Sequence, residues 1–296
     1  MRTSLRRLLE QRAHPLSQVW RNTILGISAI GILAASIWAW RSSNLQPSDL
    51  DWAPITILLV VAAPLTLLLK AAEFDLASRI AGQRPPKSRL LEIAVVSSAA
   101  NLLPLPGSLL VTVRSISEAG SNYGTALTAS AVPGFTWLGV TGVGGGVAVM
   151  IAGPPVLGVI VIALGVGALV ISLMLFRSSA PPTGRLALAA SIVVVETAWL
   201  GVSALRLGLA VTALGVDIAP AQAVALSVAG ATTTAIGFLP GGLGLREALL
   251  AGLSPLIGLP LDTGVLLGSL DRVVWLFFLA IAGSLLATRR PAGSMI

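Results

Sequence analysis

The sequence has no cysteine and a single histidine, His14. The first absence excludes disulfides, thiolate metal sites and cysteine nucleophiles. The second leaves a histidine-based metal site without ligands, since His14 stands alone in a polar N-terminal arm. Charge is also scarce. Asp, Glu, Lys and Arg make up 10% of the 296 residues, against about a quarter in an ordinary soluble domain. A soluble enzyme is therefore not the expected class. No GxxxxGK[ST] sequence offers a P-loop for ATP, and no HExxH offers a zinc site. No cluster of carboxylates stands on a visible loop to hold Mg²⁺. The chain is expected to be no enzyme, with no catalytic residue, no metal and no cofactor.

What the sequence has is apolar residue: 55% of the chain, with a mean hydropathy of +0.91. That excludes intrinsic disorder. The formal net charge is +7. In a soluble protein such a balance would point to nucleic acid; here the placement of the charges matters more than their sum, and no nucleic-acid partner is expected.

A transmembrane helix needs about 20 mostly apolar residues. Six stretches qualify: Asn22–Trp40, Pro54–Ala77, Asn122–Ala152, Pro154–Phe176, Leu186–Leu214 and Thr263–Thr288. Two more, Leu90–Ala119 and Pro220–Gly258, are apolar but interrupted by Pro and Gly. The first span is too long in its apolar core for a cleaved signal peptide, and no clear small-residue cleavage site follows it.

Orientation follows Lys and Arg. Arg2, Arg6, Arg7, Arg12 and Arg21 lie in the N-terminal arm, and Arg79, Arg84, Lys87 and Arg89 follow the second span. Arg177, Arg185, Arg289 and Arg290 complete the basic links, while Asp49, Asp51, Asp217 and Asp262 mark the opposite ones. If every basic link is cytoplasmic, the chain must leave each broken segment on the side it entered. Both are then re-entrant hairpins, and they point in opposite directions. The expected layout is a cytoplasmic basic arm at 1–21, a single transmembrane domain at 22–288 with hairpins at about 90–119 and 220–258, and a cytoplasmic tail at 289–296. The fold class is all-α, a multi-pass protein of the cell membrane.

The breaks resemble each other. Leu105-Pro106-Gly107-Ser108-Leu109 matches Leu239-Pro240-Gly241-Gly242-Leu243. Opposed broken segments at corresponding positions are the pattern of an inverted-topology repeat, whose interface holds the substrate in many transporters. Non-helical backbone at membrane depth persists only where protein or a wet cavity satisfies it. Helix starts at such breaks turn positive ends toward an anion.

Candidate binding residues follow from these breaks. Pro240, Gly241, Gly242 and Gly244 allow close approach of a ligand, and a new helix starts near Leu245. Arg246 brings a fork-shaped cation suited to phosphate, and Glu247 pairs with it or sits at the positive helix start. Asp271 and Arg272 in the last span, and Glu196 in Leu186–Leu214, are charges at membrane depth, which are costly and usually face a cavity or a partner. An internal pair, either Glu196–Arg272 or Glu247–Arg272, would neutralise that cost. In the first hairpin Asn101, Pro106, Gly107 and Arg114 are the counterparts; Arg114 stands four residues from Glu118 and is placed to answer Arg246 from the opposite side. Ser97, Ser98, Thr232, Thr233 and Thr234 line the cavity or bond freed carbonyls. Arg206, Lys70, Glu73 and Asp75 read as interfacial, snorkelling charges. Gly142 to Gly146 permits close helix packing. Trp20, Trp38, Trp40 and Trp52 read as an aromatic belt.

The run Phe238-Leu239-Pro240-Gly241-Gly242-Leu243-Gly244-Leu245-Arg246-Glu247-Ala248 resembles the lysylphosphatidylglycerol synthase transmembrane family, also called flippase-like integral membrane proteins. Arg272 before Trp275 and Gly283 adds to the likeness, as do Asn101-Leu102-Leu103-Pro104, Gly107 and Arg114. The resemblance covers mainly Leu186–Thr288. It implies movement of phospholipids or polyprenyl-linked lipids between leaflets. Two departures stand out: Ala131-Val132-Pro133-Gly134 has no charge where the family often has an acidic–arginine cluster, and Ser108 replaces an acidic residue. No soluble catalytic domain is read in this sequence, so lipid aminoacylation by it is not expected. The expected function is a lipid flippase or scramblase that holds a headgroup phosphate at the hairpin breaks, with anionic phospholipid or polyprenyl-phosphate lipid as partner. The alternatives are a membrane anchor or subunit for a lipid-modifying enzyme or glycosyltransferase, and an integral membrane lipid-phosphate transferase.

Overall fold

The computed structural model describes residues 37–38, 40–41, 46–101, 107–236 and 244–288. Among them the chain is helical, with no strand. After a 3₁₀ turn at Pro47–Asp49 come α1 (Trp52–Ile80), α2 (Lys87–Ala100), α3 (Gly107–Glu118), α4 (Tyr123–Ala152), α5 (Pro155–Ser179), α6 (Arg185–Ala213), α7 (Pro220–Ile236), α8 (Leu245–Leu256) and α9 (Leu261–Thr288). The expected span Asn22–Trp40, the arm at 1–21, the tail at 289–296 and both break sequences (102–106 and 237–243) lie outside the described residues, apart from the helical residues Ile37, Trp38 and Trp40.

Local chemistry sets several boundaries. Asp51 accepts from the Ala53 N–H at 2.9 Å and Asn122 from the Thr125 N–H at 2.9 Å, capping α1 and α4. Within α1, the residues Leu58–Ala62 form a π-helical turn just before Pro64, which has no N–H to give. Pro133 sits inside α4; beside it the Ser172 hydroxyl of α5 reaches the Val132 carbonyl at 3.1 Å and Thr136 at 2.7 Å.

Five described helices are long and apolar enough to cross a membrane: α1, α4, α5, α6 and α9. They match five of the six spans read from the sequence. Their outward faces carry apolar side chains, including Val156 at 72% and Leu164 at 70% exposure. In water a surface of that kind would be a liability; against lipid it costs nothing. The protein is an all-α, polytopic membrane protein.

The remaining four helices form two pairs of short arms. α2 and α3 have 14 and 12 residues, α7 and α8 have 17 and 12. At 1.5 Å per residue, α7, the longest, is about 26 Å, short of a hydrocarbon core of about 30 Å. Contacts at their ends show where each pair begins and finishes. The Ser121 hydroxyl, after α3, donates to the Ala81 carbonyl, before α2, at 3.1 Å. Gln222 Nε2, at the start of α7, donates to the Ile257 carbonyl, past the end of α8, at 2.7 Å. Each pair therefore starts and finishes at one end of the bundle.

The two pairs use opposite ends. The end of α1 (Leu76, Ile80) packs with the start of α4 (Ala129), the end of α5 (Phe176) and the start of α6 (Ile192). At the other end, the Asp51 N–H donates to the Ala213 carbonyl at 3.0 Å, and Val149, Val211, Ile257 and Leu259 share one apolar cluster. Arg79, Arg84, Lys87, Arg89, Arg177 and Arg185 fall at the first end, with α2 and α3. Asp49, Asp51, Asp217 and Asp262 fall at the second, with α7 and α8. Glycine governs the tight seam between α4 and α5: a Cβ on Gly142 would stand 2.6 Å from the Gly165 Cα. This is the close packing expected of the Gly142–Gly146 run.

Candidate functional site

The second arm pair brings its charged residues against the last span. α8 lies close on α9 because Gly264 and Gly268 face it; a Cβ on Gly264 would stand 2.7 Å from the Ala251 Cα. That approach sets Arg246 and Glu247, in the first turn of α8, beside Asp271 and Arg272. The pairs cross over. Arg246 donates to Asp271 Oδ2 at 2.7 Å, and Arg272 Nε stands 2.9 Å from Glu247 Oε1. Of the two alternatives for an internal pair, Glu247–Arg272 forms. Glu196–Arg272 does not, and Arg246 and Glu247 do not pair with each other but each with a residue of α9.

Glu247 has a second role. Its Oε2 accepts the Gly244 N–H at 3.0 Å, closing the first turn of α8. Gly244 has φ +80°, a conformation open to glycine and strained for other residues.

Asp271 is completely buried, and a second arginine reaches it. Arg206 of α6 donates to Asp271 Oδ1 at 2.9 Å and to the Thr66 hydroxyl of α1 at 3.2 Å. Its guanidinium carbon lies 5.0 Å from the centre of the Trp275 ring, which stacks on Phe278. This corrects the sequence reading of Arg206 as a snorkelling charge. Its side chain turns inward because a buried carboxylate with one arginine and two oxygens needs a second donor. Arg206, Arg246 and Arg272 thus meet Asp271 and Glu247: three cations against two anions, held by α6, α8 and α9.

A second polar group lies along the same seam toward the basic end. Thr66, Lys70 and Glu73 are spaced four and three apart, so they share one face of α1. That face runs antiparallel to α6, and Thr66 meets Arg206 while Lys70 and Glu73 fall opposite Trp199 and Glu196. Lys70 Nζ pairs with Glu73 at 2.9 Å and stands 5.9 Å from the centre of the Trp199 ring. Trp199 meets Trp137 of α4 edge-on at 6.1 Å. Glu196 is buried at 1% exposure, and its Oε1 has no hydrogen-bond partner among the described residues. Lys70 and Glu73 are half-buried and pair with each other. Asp75 pairs with Arg79 at 2.6 Å near the basic end.

The first arm pair contributes differently. Asn101 Oδ1 accepts the Ser108 N–H at 3.0 Å, which ties the end of α2 to the start of α3 across the break. Gly107 lies so close to the Ala100 backbone that no Cβ fits. Arg114 pairs with Glu118 at 2.7 Å, and both are largely exposed at 82% and 63%. The structure therefore does not bring Arg114 to Arg246; with Glu118 one turn away, its guanidinium is already partnered at the surface. Ser97, Thr232, Thr233 and Thr234 bond carbonyls of their own helices. Pro106, Pro240, Gly241 and Gly242 lie outside the described residues. Among those residues no group of three or more His, Cys, Asp or Glu side chains is placed to hold a metal. No protein-family model matches the chain, and no curated protein matches it.

Proposed function

We propose that the protein is a flippase- or scramblase-like transporter that carries a lipid with an anionic, phosphate-bearing headgroup between the leaflets of the cell membrane. The observation that carries this reading is the surplus of one positive charge in the Arg206–Asp271–Arg246 and Glu247–Arg272 network. A local excess of cation inside a membrane protein is a ready place for a visiting anion. Arg246 is the most accessible of the three arginines, at 24% exposure, and sits in the first turn of α8 beside backbone N–H groups that the helix itself leaves over.

Arg246 exchanges partners in this mechanism. A phosphate takes the Arg246 fork from Asp271, and Arg206 keeps Asp271 neutralised. The charge-assisted bonds given up on one oxygen are regained on another, so loading and release need no large net energy. The acyl or prenyl tails remain in lipid. Rocking of one repeat against the other exposes the site to each leaflet in turn. The short arms α2–α3 and α7–α8 are then re-entrant, and the basic end faces the cytoplasm with both chain termini. The likeness of Phe238–Ala248 to the lysylphosphatidylglycerol synthase transmembrane family supports the same substrate class, phospholipid or polyprenyl-linked lipid.

The test is translocation in liposomes that contain the purified protein. Fluorescent phospholipid and polyprenyl-phosphate probes are quenched from outside by an impermeant reagent. Wild type is expected to lose signal beyond the half that belongs to the outer leaflet, and Arg246→Ala is expected to stop at half. Quenching that stops at half for every probe with folded wild-type protein would refute the reading.

A further inference from the structure

The arginine network accounts for five of the buried charges, but not for Glu196. This carboxylate lies on α6 ten residues before Arg206, about 15 Å along the helix. It is buried, and its Oε1 has no hydrogen-bond partner among the described residues. Among the described residues, every element packed against it can be searched for a permanent counter-charge. α4 and α7 carry no Asp, Glu, Lys or Arg, and α5 carries only Arg177, at its end. On α9, Asp271 and Arg272 are engaged in the network. On α1, Asp75 and Arg79 hold each other, so the charges that act on Glu196 are Lys70 and Glu73, themselves an ion pair. Among the described residues, Glu196 thus faces a pair that sums to zero.

The two polar groups balance each other. Lys70, Arg206, Arg246 and Arg272 give four positive charges; Glu73, Glu196, Glu247 and Asp271 give four negative ones. Among the described residues, the two groups together are neutral only if the surplus cation of the network is offset by Glu196. When a singly charged headgroup occupies the network, that balance fails by one negative charge. A proton on Glu196 restores it. A metal cation is a poor candidate for the same place, because Lys70 repels it and Glu73 already has a partner.

We propose that Glu196 is the proton site of the transporter, and that an anionic headgroup at Arg246 and one proton at Glu196 load together. The inference rests on the proposed lipid reading for its partner ion, but the proton site itself does not. The step is a simple protonation: an O–H bond forms at a Glu196 carboxylate oxygen, and water or buffer on the loading side supplies the proton. The reverse occurs on the releasing side. The faces that join the two groups, Thr66–Lys70–Glu73 on α1 and Glu196–Trp199–Arg206 on α6, form a continuous polar seam, so each group senses the other through one helix pair.

The test uses purified full-length protein and two readouts. Infrared difference spectra across an acid titration record the carbonyl stretch of neutral carboxyl groups. A band present in wild type and absent in Glu196→Gln is expected; identical spectra would overturn the proton site whether or not the protein transports lipid. Hexadecyl phosphate is then added to weakly buffered protein at a pH where the band is absent. Roughly one proton taken up per bound probe in wild type, and none in Glu196→Gln with binding retained, is the expected result. Binding with no proton uptake in wild type would overturn the coupling. Failure of the probe to bind, with the Glu196 band intact, would instead count against the lipid site and against coupling, while leaving the proton site standing.

Discussion

Arg246 and Asp271, 25 positions apart in the chain, meet at 2.7 Å across the seam between a short arm and the last span. The contact requires α8 to lie close on α9, which Gly264 and Gly268 permit. Asp271 holds Arg206 through its other oxygen, so one buried carboxylate joins three helices. Much of the stability and the proposed chemistry converge on this side chain.

Asp271→Asn should therefore be among the most damaging single changes. It keeps the shape but leaves Arg206 and Arg246 facing each other without a counter-charge. Breaking a buried ion pair costs about 3–5 kcal/mol. Thermal unfolding in mild detergent should show a large loss, and Arg206→Met in the same background should recover part of it by removing one of the stranded cations. A stability close to wild type for Asp271→Asn would show that solvent reaches the network.

Glu247 has two separable duties, the pair with Arg272 and the cap on the Gly244 N–H. Glu247→Gln retains a hydrogen-bond acceptor for the cap and removes the charge. Glu247→Ala removes both. The alanine variant should be less stable by about a further 1 kcal/mol, the usual worth of a helix cap. Equal unfolding midpoints for the two variants would mean the cap contributes nothing.

Much of this fold was legible in the sequence because membrane spans and positive-inside bias are strong signals. Five spans fell within a few residues of their helices, and the charges at Arg79–Arg89 and Asp217 mark the ends of the bundle at which the two arm pairs begin. The pairing inside was legible only in part. Glu247–Arg272 was anticipated, whereas Arg206 was read as interfacial because it lies nearer the end of its helix than Glu196 does. A charge's depth along one helix says little about which way it turns when a carboxylate waits on a neighbour. The signal that was available lay in spacing: Thr66, Lys70 and Glu73 fall on one helical face, as do Glu196, Trp199 and Arg206. Arg114 illustrates the converse, since a local i,i+4 partner outweighed any distant one.

The Gly264 seam makes a steric prediction. Gly264→Val forces α8 away from α9 and pulls Arg246 from Asp271. Overpacking of this kind costs about 1–3 kcal/mol. Gly283 lies on the same helix with nothing within 4 Å of an added Cβ, so Gly283→Ala should unfold as wild type does. A Gly264→Val protein as stable as Gly283→Ala would contradict the close approach.

Topology can be mapped directly, because the chain has no native cysteine. Single cysteines at exposed Ser88 and Ala119 bracket the first arm pair, and those at Ala219 and Leu261 bracket the second. An impermeant thiol reagent should label Ser88→Cys and Ala119→Cys from the cytoplasmic face, and Ala219→Cys and Leu261→Cys from the opposite face. Labelling of either bracket from two different sides would make that pair a transmembrane crossing.

The central claim is that the surplus arginine charge recognises an anionic headgroup, and calorimetric titration of purified protein with hexadecyl phosphate tests it most directly. A zwitterionic amphiphile of equal chain length serves as the reference ligand, and Arg79→Gln as the surface control. The account predicts a preference for the anionic probe that Arg246→Gln weakens by about tenfold, the equivalent of one charge-assisted hydrogen bond at about 1.4 kcal/mol, with Arg79→Gln unchanged. Equal binding of both amphiphiles, or identical anion affinity in wild type and Arg246→Gln, would contradict it.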